Sequence, residues 1–233
     1  MQSKKVWLIG LMVIFVVIMI SCGKSPERAK SELLQMDLEF SPKGFIKAVS
    51  EGNKIAIDLF MITDMDPNTK NQAGYSALMI AAQGNNAAIC KSLLQNKKTN
   101  SELKGPQNET ALHLAAKKGQ VDAIQTLLSF KVNPNSADKF GSTPLMYAAE
   151  YGQTKACEAL LLKGANINQQ NDWGNTALMY AAKEGKADTV KSLIANKADV
   201  TIWNTGKKTA MKFAKDRGAS DIVKMLAIAG ATE

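Results

Sequence analysis

The sequence predicts an all-α solenoid of about six helix–turn–helix units, and three observations carry that prediction. Thr110, Thr143, Thr176 and Thr209 stand 33 residues apart, each followed by Ala or Pro. Behind each Thr the small and apolar residues keep one register: Leu112, Leu145, Leu178 and Met211, then the pairs Ala115 and Ala116, Ala148 and Ala149, Ala181 and Ala182, with Ala214 and Lys215 in the last copy. Gly119, Gly152, Gly185 and Gly218 close the blocks, and eight residues further on come the large apolar pairs Leu127 with Leu128, Leu160 with Leu161 and Leu193 with Ile194. The last copy weakens that pair to Leu226 with Ala227.

Each element follows from its residues. Thr at the start of a unit is an N-cap, and Pro144 suits the first helical turn, where its missing N–H costs nothing. The Ala pair lets the first helix approach its neighbour closely, and Gly in the next slot supplies the positive φ that ends this helix. In the second helix Ala156, Cys157, Leu160 and Leu161 fall at i, i+1, i+4 and i+5, a stripe too wide for a lone surface helix and suited to burial between copies. The following "KGANINQQNDWGN" carries Gly and Asn turn signals and reads as a loop or hairpin. Upstream, Ser76 begins a copy 34 residues before Thr110, with Asn85 in the Gly slot; Lys43 takes the Thr slot of a degenerate copy that keeps Ala48, Gly52, Phe60 and Met61 in register. Units therefore begin near residues 43, 76, 110, 143, 176 and 209. Terminal units of a solenoid must each turn one face to water, and Lys212 and Lys215 suit such a cap. Lys207 stands where earlier copies have Gly74, Gly141 and Gly174, which predicts an irregular last connection.

"ETALHLAAKKGQ" (109–120), "TPLMYAA", "TALMYAA" and "GANIN" (164–168) resemble ankyrin repeats over about 190 residues. The resemblance implies an ankyrin-repeat domain over 42–233, with stacked helix pairs and short β-hairpin fingers projecting from one side of a curved hand.

The N-terminus has a separate logic. Lys4 and Lys5 precede an apolar run from Val6 to Ile20, followed by Ser21, Cys22 and Gly23. A positive segment, an apolar segment and a small residue before a cleavage point make an export signal. Met19 to Cys22, "MISC", resembles the lipobox of bacterial lipoproteins, which implies a signal peptide over 1–21 and a lipid on Cys22. The competing reading is an uncleaved single-span anchor. Val6 to Gly23 is 18 residues, whereas a span wants ~20, so the short run ending on a Cys favours lipidation. Residues 22–41 are polar and Pro-containing and read as a tether. The expected location is the bacterial cell envelope, membrane-anchored on the extracytoplasmic side. The net charge is +8 without a run of five like charges, so no nucleic-acid partner is expected.

Catalytic and metal chemistry find little support. His113 is the single His of the chain, and by the resemblance it ties loops together; Met79, Met146 and Met179 fill its slot in other copies. One His and no paired-Cys spacing leave no metal site. Cys90 and Cys157 share a slot in the second helix two units apart, too distant for a disulfide, and read as buried thiols. "TDMDPN" (63–68) lacks the Gly and Glu of a calcium loop. "GKS" at 23–25 lacks the upstream Gly of a phosphate loop, and the sequon "NET" (108–110) coincides with a helix cap. A non-enzymatic module without cofactor is expected.

Binding is the remaining function. By the resemblance, contact residues lie on the fingertips before the Thr and on the first helix after the Ala pair. Those slots hold Tyr75 in the second copy, Lys117 and Lys118 in the third, Phe140 and Tyr151 in the fourth, and Trp173, Asn175, Lys183 and Glu184 in the fifth. Glu150 lies in the same set. Phe140 and Trp173 occupy one slot in successive copies and either anchor a partner or stack to stiffen the fingers. Tyr147 and Tyr180 read as packing residues. The expectation is a monomeric solenoid that holds a protein partner on its concave face; the alternative is a structural or protective scaffold subunit that uses the convex face or the basic last copy.

Overall fold

The computed structural model describes residues 25–231. Among them lie thirteen helices: α1 (Pro26–Gln35), α2 (Pro42–Ser50), α3 (Lys54–Ile62), α4 (Ala77–Gln83), α5 (Ala87–Gln95), α6 (Ala111–Lys118), α7 (Val121–Ser129), α8 (Pro144–Glu150), α9 (Thr154–Leu162), α10 (Ala177–Lys183), α11 (Ala187–Ala195), α12 (Ala210–Arg217) and α13 (Ser220–Ile228). From α2 onward they form six antiparallel pairs. The first helices of successive pairs stack in one layer and the second helices in another.

The repeated residues explain that stack. Thr143, Thr176 and Thr209 cap their helices, each hydroxyl accepting the N–H of the third helical residue at 3.2–3.4 Å. Behind the caps the Ala pairs are solvent-free, and Leu112, Leu127, Leu145, Leu160, Leu178 and Leu193 fill the space between the layers. Burial of each such Leu contributes about 1.5–3 kcal/mol. Gly119 ends α6 at φ 71°, and Asn85 takes the same left-handed turn at φ 55°. Cys90 and Cys157 are buried free thiols, as their slot predicts, and burial pushes both up to about 12.

Several expectations are corrected. The β-hairpin fingers are absent: no strand forms among the described residues, and the only strand-like pairing is one isolated bridge between Lys70 and Ser76. An antiparallel ladder needs facing residues to exchange backbone bonds in both directions. In the finger before α8 the Asp138 N–H donates to the Ser142 carbonyl at 3.0 Å, but the Ser142 N–H donates to Asp138 Oδ1 at 2.8 Å. The side chain has taken the second rung. Asn71, Asn171 and Asn204 do the same in their own fingers, accepting from Tyr75, Asn175 and Lys208 at 2.9–3.0 Å. The fingers are Asx-closed turns.

The last finger is also regular: Lys207 adopts φ 55°, the left-handed turn that Gly141 and Gly174 make at 73° and 71°. In the first unit the cap is Ser41, whose hydroxyl accepts from the Gly44 N–H at 3.1 Å, two residues ahead of the expected Lys43 slot. The stretch read as a polar tether contains α1. Its Ala29 and Leu33 are buried against α3, so this helix covers the open end of the stack. Residues 1–21, read as a signal peptide, and Cys22, read as the lipid site, lie outside the described residues. No helix among the described residues is long and apolar enough to cross a membrane.

Candidate functional site

The site is built from fingers four and five (residues 138–142 and 171–175) and the C-terminal ends of α6, α8 and α10. Backbone bonds lace one finger to the next. The Lys139 N–H donates to the Gln107 carbonyl, Asp172 to Phe140 and Thr205 to Trp173, at 3.0–3.1 Å. These bonds bring the side chains of Phe140 and Trp173 side by side, with ring centroids 5.2 Å apart and planes inclined by 33°. Both rings remain open to solvent, 40% for Phe140 and 47% for Trp173.

Each finger is also fixed from below. Asp138 Oδ1 accepts the Phe140 and Ser142 N–H groups at 2.8 Å, while its Oδ2 accepts the Tyr147 hydroxyl at 2.8 Å. One unit later the Asn171 amide repeats the arrangement, accepting from Trp173 and Asn175 and donating to the Tyr180 hydroxyl at 2.9 Å. Burial, together with the Asp138 carboxylate, pushes the Tyr147 phenol up, so it stays a donor. His113 joins finger four to the unit before it. Its Nδ1 accepts the Thr110 N–H at 3.1 Å and its Nε2–H donates to the Ser142 carbonyl at 3.0 Å. Those partners define the tautomer, and burial holds the imidazole below its ordinary range. Both ring nitrogens are used structurally.

Under the aromatic pair lies a cleft of about 140 Å³ lined by Asp138, Phe140, Met146, Tyr147, Glu150, Trp173 and Tyr180. Ligand sites for small molecules run to about 300–1,000 Å³, so this cleft suits one side-chain head group. Glu150 is half-buried, and burial and the nearby Glu184 push its carboxyl up while Lys117 and Lys183 pull it down. Lys117 instead lies over the Tyr151 ring at 4.9 Å, and Lys139 over Phe140 at 4.6 Å.

Of the residues singled out in the sequence, Phe140, Trp173, Lys117, Tyr151, Lys183 and Glu184 fall into this one region. Asn175 lies on finger five beside it, part-buried, with its Oδ1 accepting the Asn204 amide of the next finger at 2.7 Å. Tyr75 is half-buried against the core on finger two, and Lys118 is exposed on the solvent side of its helix end. Asp138, Tyr147 and Tyr180 were missed as lining residues, although the spacings Asp138 to Tyr147 and Asn171 to Tyr180, repeated one unit apart, were visible. Trp203 was missed too, since it occupies the slot of Ala137 and Gln170; it is 51% exposed beside Lys207, Lys208 and Lys212 in a cleft of about 330 Å³. No group of three or more potential metal ligands occurs among the described residues.

Comparison with known proteins agrees with the architecture. The family model "Ankyrin repeats (3 copies)" matches residues 45–138, 97–171 and 145–232. Alpha-latrotoxin-Lhe1a of Latrodectus hesperus is 36% identical over 103 residues, covering 41% of this chain and 7% of its own length. Alpha-latrotoxin-Lg1a of Latrodectus geometricus is 37% identical over 107 residues, 42% of this chain and 8% of the toxin. Tyrosine-protein kinase Shark of Drosophila melanogaster is 31% identical over 98 residues, 42% of this chain and 10% of the kinase. The chain thus matches a tenth or less of each of these relatives. With family matches running from residue 45 to residue 232, the chain belongs to the ankyrin-repeat family.

Proposed function

We propose that this protein is a non-enzymatic binding module that holds a protein partner on the side formed by the fingers and first helices, centred on Phe140, Tyr151 and Trp173. The observation that carries the reading is the exposed aromatic pair on laced fingers, since aromatic anchors on rigid elements dominate interface energies. Lys117, Lys183 and Glu184 supply a polar rim around it. A repeat stack shared with proteins as different as a toxin and a kinase is a module whose function lies in its surface. Cross-linking in membranes tests it: a partner captured by the wild type is lost in the Phe140→Ala, Trp173→Ala double variant, and an unchanged partner profile would sink the site.

The export-type N-terminus supports tethering at the bacterial cell envelope through a lipid on Cys22, with residues 1–21 removed. Labelling with a fatty-acid probe disappears in Cys22→Ala; labelling that persists refutes the anchor. A second reading, a scaffold subunit that docks through its last unit, is favoured by the exposed Trp203 beside Lys207 and Lys208. Charge reversal at Lys207, Lys208 and Lys212 abolishes association in that case and leaves it intact in the first.

A further inference from the structure

We propose that the cleft beneath Phe140 and Trp173 receives an arginine side chain of the protein partner, its guanidinium lying against the aromatic rings and facing the Glu150 carboxylate. This rests on the binding reading above and names the chemistry of that partner. Three observations carry it. The lining holds four aromatic rings and the two carboxylates of Asp138 and Glu150, and no basic side chain. Asp138 is fully engaged with its own finger and with Tyr147, which leaves Glu150 as the carboxylate available to a guest.

The third observation is how the surrounding charges are spent. Arg217 lies 3.9 Å from Glu184 and donates to the Lys183 carbonyl at 2.9 Å. Lys117 rests on Tyr151 and Lys139 on Phe140. Lys117 and Lys183 act on Glu150 through space, yet among the described residues neither forms an ion pair with it. A half-buried carboxylate flanked by aromatic rings and forming no ion pair among the described residues is complementary to a cation that arrives from outside. Arginine suits it better than lysine, because a planar guanidinium stacks on rings and meets a carboxylate with parallel N–H groups, whereas an ammonium is a compact, strongly hydrated charge. The cleft volume of about 140 Å³ suits a head group of that size.

The test uses the full chain with Trp7→Phe and Trp203→Phe, so that Trp173 alone reports by its fluorescence. The probes are acetyl-Gly-Arg-Gly-amide, its neutral citrulline isostere and the corresponding lysine peptide. The arginine peptide is expected to give a saturable change that weakens with salt. Replacement by citrulline, or Glu150→Gln in the protein, weakens it by roughly tenfold or more. Absence of a saturable response, an equal response to citrulline, or an unchanged affinity in Glu150→Gln overturns the proposal, and a lysine peptide that binds as tightly overturns the choice of arginine. The membrane cross-link separates the two levels. A partner lost in Phe140→Ala, Trp173→Ala but kept undiminished in Glu150→Gln leaves the binding reading standing and ends the arginine inference. A partner indifferent to the aromatic pair ends the binding reading, while the peptide titration still decides the chemistry of the cleft.

Discussion

Units three and four hold the same finger geometry with different chemistry. Unit four closes its finger with Asp138, braces it with Tyr147 and turns it at Gly141. Unit three has Gly105 in the Asp138 slot and Leu114 in the Tyr147 slot. It relies on the buried Glu109, whose Oε2 accepts the Gln107 N–H at 2.6 Å, and turns at Asn108 with φ 59°. It alone carries an imidazole, and that imidazole reaches forward to finger four. Backbone shape is thus shared, and the side chains that secure it are interchangeable. What is not shared is the surface: finger three ends in Gln107, finger four in Phe140. The comparison separates groups that hold the finger from groups that present it, and it can be broken at each.

The largest effect is expected at Asp138. Asp138→Ala removes the acceptor of two backbone N–H groups and a tyrosine hydroxyl at a site only 8% exposed. Leaving such donors unpaired costs about 2–4 kcal/mol in chemical denaturation. Asp138→Asn copies what unit five does with Asn171 and costs less than ~1 kcal/mol. Equal losses from the two would mean that the charge, and not the acceptor geometry, holds the finger.

His113 comes next. His113→Ala strands the Thr110 N–H and the Ser142 carbonyl, a loss of about 1–3 kcal/mol. His113→Met is milder, because methionine fills this slot in sister units and its sulfur takes the cap N–H: Met146 Sδ lies 3.5 Å from the Thr143 nitrogen. The pH dependence has a definite sign. Burial keeps the folded imidazole below its ordinary 6.5, so on acidification the unfolded chain takes up the proton first. Stability is complete above about pH 6.5 and falls as pH drops below it, with a slope of at most about 1.4 kcal/mol per unit for this one proton. As this is the single His of the chain, His113→Met flattens the curve between roughly pH 5 and 6.5. A wild-type slope that survives the substitution would assign the titration elsewhere.

These positions also show how far the sequence could be read. The period of 33, the Thr caps and the Ala pairs define the helix pairs because each records a repeated backbone requirement. The Asx closure was not readable as such, since Asp138 and Asn171 look like ordinary turn residues until their oxygens are seen to replace a strand rung. Helix α1 was hidden by its composition: only Ala29 and Leu33 of its ten residues are buried. The adjacency of Phe140 and Trp173 was legible from their shared slot. That Lys117 rests on Tyr151 and, among the described residues, forms no ion pair with Glu150 was not, because it depends on how the side chains of neighbouring units settle.

The aromatic pair tests presentation. In a double-mutant cycle, Phe140→Ala and Trp173→Ala couple by about 0.5–1.5 kcal/mol, toward the lower figure for rings this exposed. Each single change costs little stability and removes the partner cross-link. A coupling much larger than this would make the pair a brace, and unit four would then hold its finger from above as well as from below.

The smallest effect is expected where units three and four differ in the turn residue itself. Asn108→Gly relieves a left-handed asparagine, a conformation Asn tolerates better than most residues, but it also frees the unfolded chain by about 0.4–1 kcal/mol. Asn108 is exposed, so no packing is lost, and the two contributions nearly cancel to within about 0.5 kcal/mol. The reverse exchange is not its mirror image. A Cβ on Gly141 would stand 2.6 Å from Asp172 Oδ1 and 3.0 Å from the Asp172 backbone nitrogen. That nitrogen is the one bonded to the Phe140 carbonyl, so it cannot withdraw without unlacing fingers four and five. Gly141→Asn is therefore expected to cost ~1 kcal/mol or more and to shift the Trp173 fluorescence, while Asn108→Gly leaves it unchanged. A silent Gly141→Asn would mean that the lacing bond is not what sets the two rings side by side.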